Sequence, residues 1–203
     1  VFVAPGNAGT AADRALENVA ITDLDALADF AEEQKVSLTI VGPEAPLAAG
    51  IVNLFRARGL KIFGPSKEAA QLESSKDFAK RFMARHGIPT ACFATFSERA
   101  PAHAYIDQQG APIVIKADGL AAGKGVVVAM TRDEAHATLD RMLPAESTYA
   151  PTGSTPAQVV IEEFLEGEEA SFIVMVDGKD VLPLASSQDH KRIGDGDTGP
   201  NTG

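Results

Sequence analysis

Short apolar segments alternate with amphipathic segments over the first third of the chain. The apolar segments have the length and β-branched content of strands, at residues 1–4, 18–21, 36–41 and 61–64. The amphipathic segments predict one helix capped by Thr22 and another at residues 46–58. This alternation predicts a parallel sheet covered by helices, whose ligands bind where strands end. Turns at residues 5–9 and 42–44 follow strands in this way.

The pattern beyond residue 72 predicts a second group of elements. Helices are expected at residues 75–86, 98–109 and 132–142, the first of them capped by Ser74. Strands are expected at residues 112–116, 126–129 and 158–164. An Asp177-Gly178 turn between two apolar runs predicts a further hairpin over residues 170–185, and residues 199–203 are expected to form a loop.

The segment with the clearest chemistry is a glycine-rich loop between two predicted strands. Lys116 ends the first strand, and Gly119, Gly123, Lys124 and Gly125 precede the second. Glycines let backbone N–H groups approach phosphate oxygens and lysines add positive charge, so the loop is either a nucleoside triphosphate site or a flexible surface turn. A Walker P-loop is excluded by the glycine spacing and by the absence of Ser or Thr after Lys124. A dinucleotide fingerprint is excluded because a strand follows the loop.

Composition and charge narrow the range of partners. The formal net charge of −10 is unfavourable for a general nucleic-acid or anionic-membrane surface. The single cysteine, Cys92, excludes an internal disulfide and suits a reducing compartment, and no apolar run is long enough to span a bilayer. We therefore expect a cytoplasmic protein that binds small molecules. Because the chain begins at Val1 without a methionine, we also expect it to be part of a longer protein.

Three features allow two interpretations each. The carboxylates of residues 162–169 are typical of a solvated edge, but Phe164 and Leu165 beside them could enclose a purine, with a carboxylate accepting from the ribose hydroxyls. Lys76 falls in the first turn of its predicted helix, where a cation is either tolerated or helps the helix N-terminus to hold an anion. Glu44 is either a solvated loop carboxylate or a ligand-binding group at a strand end.

Several segments together resemble the ATP-grasp family of phosphoribosylamine–glycine ligases. The resemblance rests on residues 3–10, 41–47, 115–126, 161–171, 188–192 and 197–203, and it extends over essentially the whole chain. It implies an α/β fold in which a Rossmann-like domain precedes an ATP-grasp domain. It also implies that an opening strand with a phosphate loop, and the C-terminal part of the enzyme, lie outside this chain.

The resemblance implies four regions in the chain. They are an incomplete Rossmann-like domain at residues 1–72, a linker helix with the start of the ATP-grasp body at 73–92, a lid subdomain at 93–162, and a further incomplete part of the body at 163–203. The nucleotide is then expected between lid and body.

The resemblance also implies roles for individual residues in binding ATP. Lys76 and Lys116 match lysines that hold the ATP phosphates, and Glu169 matches a glutamate that binds the ribose. The other ATP contacts are expected in a mobile loop and in a linker that hydrogen-bonds adenine: Gly119, Leu120, Ala122, Gly123, Lys124, Gly125, Val126, Glu162, Glu163, Phe164 and Leu165.

Substrate contacts are implied in two places. The amino-sugar phosphate is expected at Asn7, Gly42, Pro43 and Glu44. The acceptor site is expected at Asp189, His190, Lys191, Arg192, Pro200, Asn201, Thr202 and Gly203, with no division between glycine and phosphoribosylamine. In this family Mg²⁺ or Mn²⁺ is held by a Glu and an Asn that the resemblance places beyond residue 203, so no metal ligand is assigned in this chain.

The activity implied by the resemblance is the ATP-dependent joining of glycine to 5-phosphoribosylamine, through an acyl phosphate, in purine biosynthesis. A monomer is expected. The alternatives are another ATP-grasp carboxylate–amine ligase and a non-catalytic nucleotide-binding sensor built on the same fold. The first would act on a different acid, and the second would bind the nucleotide without turnover.

Overall fold

The computed structural model describes residues 1–120, 125–143, 157–190, 192–196 and 198–201. The chain forms two compact units, Val1–Phe82 and Met83–Gly203. Some candidate site residues lie outside the described residues: Ala122, Gly123, Lys124, Lys191, Thr202 and Gly203. No helix in the described ranges is both long and apolar enough to cross a membrane.

The first unit consists of short strands and helices. Their order is β1 (Phe2–Val3), α1 (Ala8–Ala12), β2 (Glu17–Asn18), α2 (Leu24–Glu33), β3 (Thr39–Ile40), α3 (Glu44–Ala49), α4 (Ile51–Ala57), β4 (Ile62–Phe63), α5 (Gln71–Ser74) and α6 (Lys76–Arg85). Strand β1 pairs in parallel with β2, and β3 pairs in parallel with β4. The parallel pairing predicted from the alternation of strands and helices is confirmed.

The two strand pairs do not join into the single sheet that the sequence predicts. Within residues 1–82, which are all described, each pair is a separate two-stranded sheet. Side chains from both pairs and from α2 line a groove of about 740 Å³, among them Phe2, Phe30, Leu38 and Ile40. This apolar groove lies between the two pairs.

Local capping also differs from the prediction at the first two helices. Part of the turn predicted at residues 5–9 is helix α1, because Asn7 caps it: Asn7 Oδ1 accepts from the Thr10 N–H at 3.0 Å. Asp23 caps α2 in place of Thr22, its Oδ1 accepting from the Ala26 N–H at 2.9 Å. Short polar side chains at both positions satisfy N–H groups that the helix leaves unpaired.

The helix predicted at residues 46–58 is two helices. Gly50 ends α3 with φ +99°, in the left-handed region, and α4 begins at the next residue. Glycine reaches this conformation without the steric penalty of a side chain, so it can end one helix and redirect the chain.

The core of the first unit lies between α2 and α4. Its buried members are Ala28, Ala31, Ile51, Val52 and Phe55. Each of the two segments predicted to be amphipathic therefore buries an apolar face. On the surface, Arg58 is held by Asp29 at 2.6 Å and Glu32 at 2.9 Å, and these hydrogen bonds raise the pKa of the guanidinium.

Truncating Phe55 tests this core. Phe55 is 1% exposed, so Phe55→Ala is expected to lower the free energy of unfolding by about 3–5 kcal/mol through lost burial and the cavity left behind. Urea denaturation measures the change. Phe55→Leu, which keeps most of the apolar surface, should lose clearly less, and an equal loss for both variants would contradict the packing described.

The second unit contains a four-stranded antiparallel sheet. Its elements are β5 (Phe93–Phe96), α7 (Arg99–Gln109), β6 (Ile113–Ala117), β7 (Val126–Ala129), α8 (Arg132–Met142) and β8 (Val159–Glu163). The strand order is β5-β8-β6-β7. Helices α7 and α8 bury their apolar faces against one face of the sheet, where Ile106, Ile115, Leu139 and Ile161 are fully buried.

Two hairpins follow this sheet. Strands β9 (Val174–Val176) and β10 (Val181–Pro183) pair antiparallel, as predicted for residues 170–185. In their turn, Asp177 Oδ1 accepts from the N–H groups of Lys179 and Asp180, which lowers the pKa of Asp177. Strands β11 (Arg192–Gly194) and β12 (Thr198–Asn201) form a second antiparallel pair where the sequence predicts a loop. The short polar strands lack the apolar alternation that marks a hairpin.

Candidate functional site

The two faces of the four-stranded sheet have different chemistry. Side chains alternate along β6 and β8, so Ile113, Ile115 and Ile161 face the core beneath α7 and α8. The opposite face carries Lys116 and Glu162, which the sequence places in the candidate ATP site. A strand that buries one face can therefore present charged groups on the other.

Lys116 and Glu162 form an ion pair on this second face. Lys116 Nζ lies 2.6 Å from Glu162 Oε1. Lys116 is opposite Val160 and Glu162 is opposite Val114, so the two charged side chains are diagonal neighbours. Val114 and Val160 share the face and are missing from the sequence-based candidates. The alternation of side chains along a strand could have indicated both valines, because Val114 lies two residues from Lys116 and Val160 lies two residues from Glu162.

The burial of this ion pair is asymmetric. The Glu162 side chain is 5% exposed and that of Lys116 is 27% exposed. A buried carboxylate is costly without a partner, so the ammonium of Lys116 offsets the charge of Glu162. An ammonium carries three N–H donors. Lys116 can therefore contact Glu162 and an anionic ligand at the same time.

The glycine-rich loop leaves the sheet beside this pair. Ala117 N–H donates to the Gly125 carbonyl at 2.8 Å, and Asp118 N–H donates to the Gln158 carbonyl at 2.9 Å. Gly119 has φ +96°, a conformation that favours glycine. The predicted strand–loop–strand arrangement is confirmed by the antiparallel pairing of β6 with β7. The other described loop candidates are exposed: Leu120 and Val126.

The segment after β8 begins with a fixed glutamate. Glu163 N–H donates to the Cys92 carbonyl at 2.9 Å, and Glu163 Oε2 accepts from the Cys92 N–H at 3.1 Å. This contact extends the β5–β8 pairing by one residue, a role for Cys92 that the sequence does not reveal. Phe164 is half-buried, whereas Leu165 and Glu169 are exposed. The segment therefore offers apolar and carboxylate groups at the end of β8.

Lys76 occupies the first position of α6. Ser75 precedes it, and Ser75 Oγ accepts from the Phe78 N–H at 3.1 Å. The cap is therefore one residue later than predicted, because Ser74 ends α5 instead. Lys76 lies in the first unit and Lys116 in the second.

The candidate residues of the first unit lie at helix N-termini. Asn7 caps α1, and its carbonyl accepts from Asn18 Nδ2 at 2.9 Å. Since Asn7 Oδ1 is engaged in the cap, its amide NH₂ is the part of the side chain that the cap does not use. Gly42 and Pro43 precede α3, and Glu44 is its first residue; all three are exposed.

The described candidates near the end of the chain are brought together by β11 and β12. Arg192 is opposite Asn201 in this pair, and Pro200 is its neighbour in β12. His190 and Arg192 line a cleft of about 230 Å³. Asp189 is exposed beside His190. This cleft places an imidazole and a guanidinium side by side, a combination suited to an anionic group.

Comparison with known protein families shows which class of protein the second unit belongs to. Residues 74–203 match the family model described as the phosphoribosylglycinamide synthetase ATP-grasp (A) domain, which agrees with a glycine-rich hairpin beside a lysine–glutamate pair. The second unit therefore belongs to an ATP-grasp protein. Residues 1–73 match the N domain of the same synthetase. The chain is a member of the phosphoribosylglycinamide synthetase family.

Individual relatives agree with this family. Over its whole length the chain is 69% identical to the phosphoribosylamine–glycine ligase of Ralstonia nicotianae and 67% identical to that of Pseudomonas aeruginosa, covering 47% of each. The crystal structure of the Thermotoga maritima ligase is 34% identical, with a TM-score of 0.74 over 98% of this chain and 46% of that one. The chain thus spans about half the length of the curated relatives it matches.

Proposed function

We propose that the full-length protein joins glycine to 5-phosphoribosylamine at the expense of ATP, giving glycinamide ribonucleotide, ADP and phosphate in de novo purine biosynthesis. The observation that carries this proposal is the Lys116–Glu162 pair beside a glycine-rich hairpin. The chain is also 64–69% identical to relatives named phosphoribosylamine–glycine ligase. The proposed substrates are small molecules. We further propose that the enzyme is a cytoplasmic monomer.

The proposed reaction has two steps. A carboxylate oxygen of glycine attacks the γ-phosphorus of ATP, the bond to the β,γ-bridging oxygen breaks, and ADP leaves. The amine of phosphoribosylamine then attacks the carbonyl carbon of glycyl phosphate, a proton leaves the nitrogen, and phosphate departs as the amide forms. The first step needs positive charge around the moving phosphoryl group, and the second needs exclusion of water from the acyl phosphate.

The chain's own residues fit these two needs. Lys116 holds phosphate oxygens with the N–H donors that Glu162 does not use, and Lys76 adds a second positive charge. We assign the loop that contains Gly123 and Lys124 to closure over the phosphates, which keeps water from the acyl phosphate. Closure requires the backbone to change conformation at the ends of the loop. Gly119, with φ +96°, lies at one end and has the conformational freedom for such a change.

The adenosine part of ATP is assigned to the end of β8. Residues 162–165 present backbone groups for the purine edge, with Phe164 against its face, and Glu169 accepts hydrogen bonds from the ribose hydroxyls. Glu162 would contact adenine while it holds Lys116, so purine and phosphates would be positioned by one ion pair.

Replacing Glu169 tests the ribose contact. Glu169→Gln is expected to weaken ATP binding while affecting a 2′,3′-dideoxyribose analogue little, because only the ribose hydroxyls lose a charged acceptor. The dissociation constant of the analogue divided by that of ATP, both measured by titration calorimetry, should fall by about 3–10-fold. Glu168→Gln, one residue away, is the matched control. An unaltered ratio in Glu169→Gln would count against the ribose contact.

The amino-sugar phosphate and the acceptor are assigned to the remaining candidates. Asn7, Gly42, Pro43 and Glu44 would contact the sugar phosphate, and Asp189 to Arg192 with residues 200–203 would contact the acceptor. The ATP-grasp family implies a divalent metal, which would supply positive charge to the phosphates. The resemblance places its Glu and Asn ligands beyond residue 203, so no metal ligand is assigned in this chain.

Release of ADP by the full-length protein tests the proposed function. ADP should appear only when ATP, glycine and phosphoribosylamine generated in situ are all present, and omission of each in turn should abolish it. Release with another acid in place of glycine would indicate a different ATP-grasp ligase. Nucleotide binding without release under any combination would indicate a sensor.

A further inference from the structure

Two histidines on the helices of the second unit form a contact that the proposed function does not use. His103 lies on α7 and His136 on α8, and their Nδ1 atoms are 2.6 Å apart. Each Nε2 atom faces a carboxylate on the other helix: His103 Nε2 is 3.2 Å from Asp140 Oδ1, and His136 Nε2 is 3.0 Å from Asp107 Oδ1. The four side chains therefore form a continuous series of contacts between the two helices, in the order Asp140, His103, His136, Asp107.

The two imidazole rings meet edge to edge. Their centroids are 4.8 Å apart and their planes differ by 29°. The centroid separation exceeds the 2.6 Å between the Nδ1 atoms by about the sum of two ring radii. The facing ring positions therefore point at each other. Two lone pairs repel at this distance and two N–H groups collide, so one hydrogen lies between the Nδ1 atoms.

The outer contacts fix the remaining ring protons. An ionised carboxylate only accepts hydrogen bonds, so each Nε2 atom carries a hydrogen that it donates to Asp140 or Asp107. The two rings thus hold three protons and one positive charge. The charged groups around them are Asp107 and Arg99 from α7 and Asp140 from α8, with Arg99 Nη1 at 3.2 Å from Asp140 Oδ1. One positive charge between two carboxylates is a favourable arrangement.

We propose that His103 and His136 share one proton and form a pH-sensitive latch between α7 and α8. A fourth proton, gained in acid, places two N–H groups head-on. Loss of the third, in base, leaves either two facing lone pairs or a bare Nε2 against a carboxylate. The latch therefore stabilises the helix pair over an intermediate range and loses this effect on both sides.

A metal ion between the rings does not fit the geometry. Zinc binds imidazole nitrogen at about 2.0–2.1 Å in tetrahedral geometry, so two nitrogens on one zinc ion would be about 3.3 Å apart. The observed separation is 2.6 Å. In addition, the described ranges contain no group of three or more His, Cys, Asp or Glu suited to a metal. A proton is the cation that the gap accommodates.

Nitrogen-15 spectra of the histidine-labelled full-length protein test the shared proton directly. Over the intermediate range in which the proton is shared, we expect both Nε2 atoms of the pair to be protonated and the two Nδ1 shifts to lie between those of protonated and bare nitrogen. The pair should gain and lose protons in two coupled steps. Two independent titrations, or a bare Nδ1 on both rings, would overturn the proposal. So would a spectral change on adding Zn²⁺ that a chelator reverses.

Thermal unfolding of variants across the pH range provides the second test. His103→Ala and His136→Ala should each lower Tm most at intermediate pH, and the double variant should lose little more than either single variant. This coupling should shrink towards both ends of the range. His86→Ala, which removes a histidine outside the pair, should show no such profile. Additive losses at every pH would overturn the latch.

Discussion

Lys116→Ala is expected to abolish turnover by the full-length protein and to weaken its binding of ATP. The variant removes a positive charge from the proposed phosphate site and leaves the buried carboxylate of Glu162 without the ammonium 2.6 Å away. Removing one donor from a preorganised charge-stabilising site costs about 10²–10³-fold in rate. We therefore expect kcat/KM for ATP to fall by at least about 10²-fold, measured by coupled ADP release.

The control for this variant is Lys179→Ala. Lys179 is an exposed lysine in the turn between β9 and β10, so its removal changes the net charge equally without touching the ion pair. It should retain activity and ATP affinity. Unchanged nucleotide affinity in Lys116→Ala would contradict the proposed contact between Lys116 and the phosphates.

Glu162→Ala is expected to destabilise the fold and to impair ATP binding together. The Glu162 side chain is 5% exposed, and its loss leaves the Lys116 ammonium without its carboxylate. Breaking a buried ion pair costs about 3–5 kcal/mol. Because Lys116 is 27% exposed, water compensates in part, and we expect a loss of about 1–3 kcal/mol in the free energy of unfolding. Urea denaturation gives the stability, and calorimetry gives the ATP affinity.

The adjacent residue supplies the control for Glu162. Glu163→Ala removes an exposed carboxylate that accepts one hydrogen bond, from the Cys92 N–H at 3.1 Å, and should cost about 1 kcal/mol or less. The double variant of Lys116 and Glu162 should be less destabilised than the sum of the single variants, because neither charge is left alone. Equal losses of stability in Glu162→Ala and Glu163→Ala would contradict the proposal that Glu162 positions Lys116. So would a double variant whose loss equals the sum of the losses of Lys116→Ala and Glu162→Ala.

The parts of the fold that the sequence predicts are those set by local patterns. The run from Ile113 to Lys116 alternates between buried and site-facing positions, and glycines mark the turn that follows, so the hairpin could be predicted. Helix α8 has the predicted bounds because Thr131 caps it and apolar residues recur at helical spacing. Boundaries set by a single residue, such as the cap at Asn7 or the break at Gly50, were not predicted.

Contacts between distant segments could not be predicted from the pattern. Lys116 and Glu162 meet because β8 lies between β5 and β6, and that strand order depends on packing across the whole sheet. The proton-sharing pair of His103 and His136 depends in the same way on how α7 packs against α8. The pairing of β11 with β12 carries no apolar signal at all. The family resemblance predicts which residues bind the ligands, whereas the contacts between distant side chains become visible only in the structure.

The most direct test of the proposed ligation follows the oxygen atoms of glycine. With glycine carrying ¹⁸O in both carboxylate oxygens, turnover by the full-length protein should transfer one ¹⁸O atom to each phosphate released, because the carboxylate attacks the γ-phosphorus and the acyl carbon–oxygen bond then breaks. Unlabelled glycine in ¹⁸O-labelled water is the control and should give unlabelled phosphate. Unlabelled phosphate from labelled glycine, or label taken from water, would contradict a glycyl phosphate and the ligation proposed here.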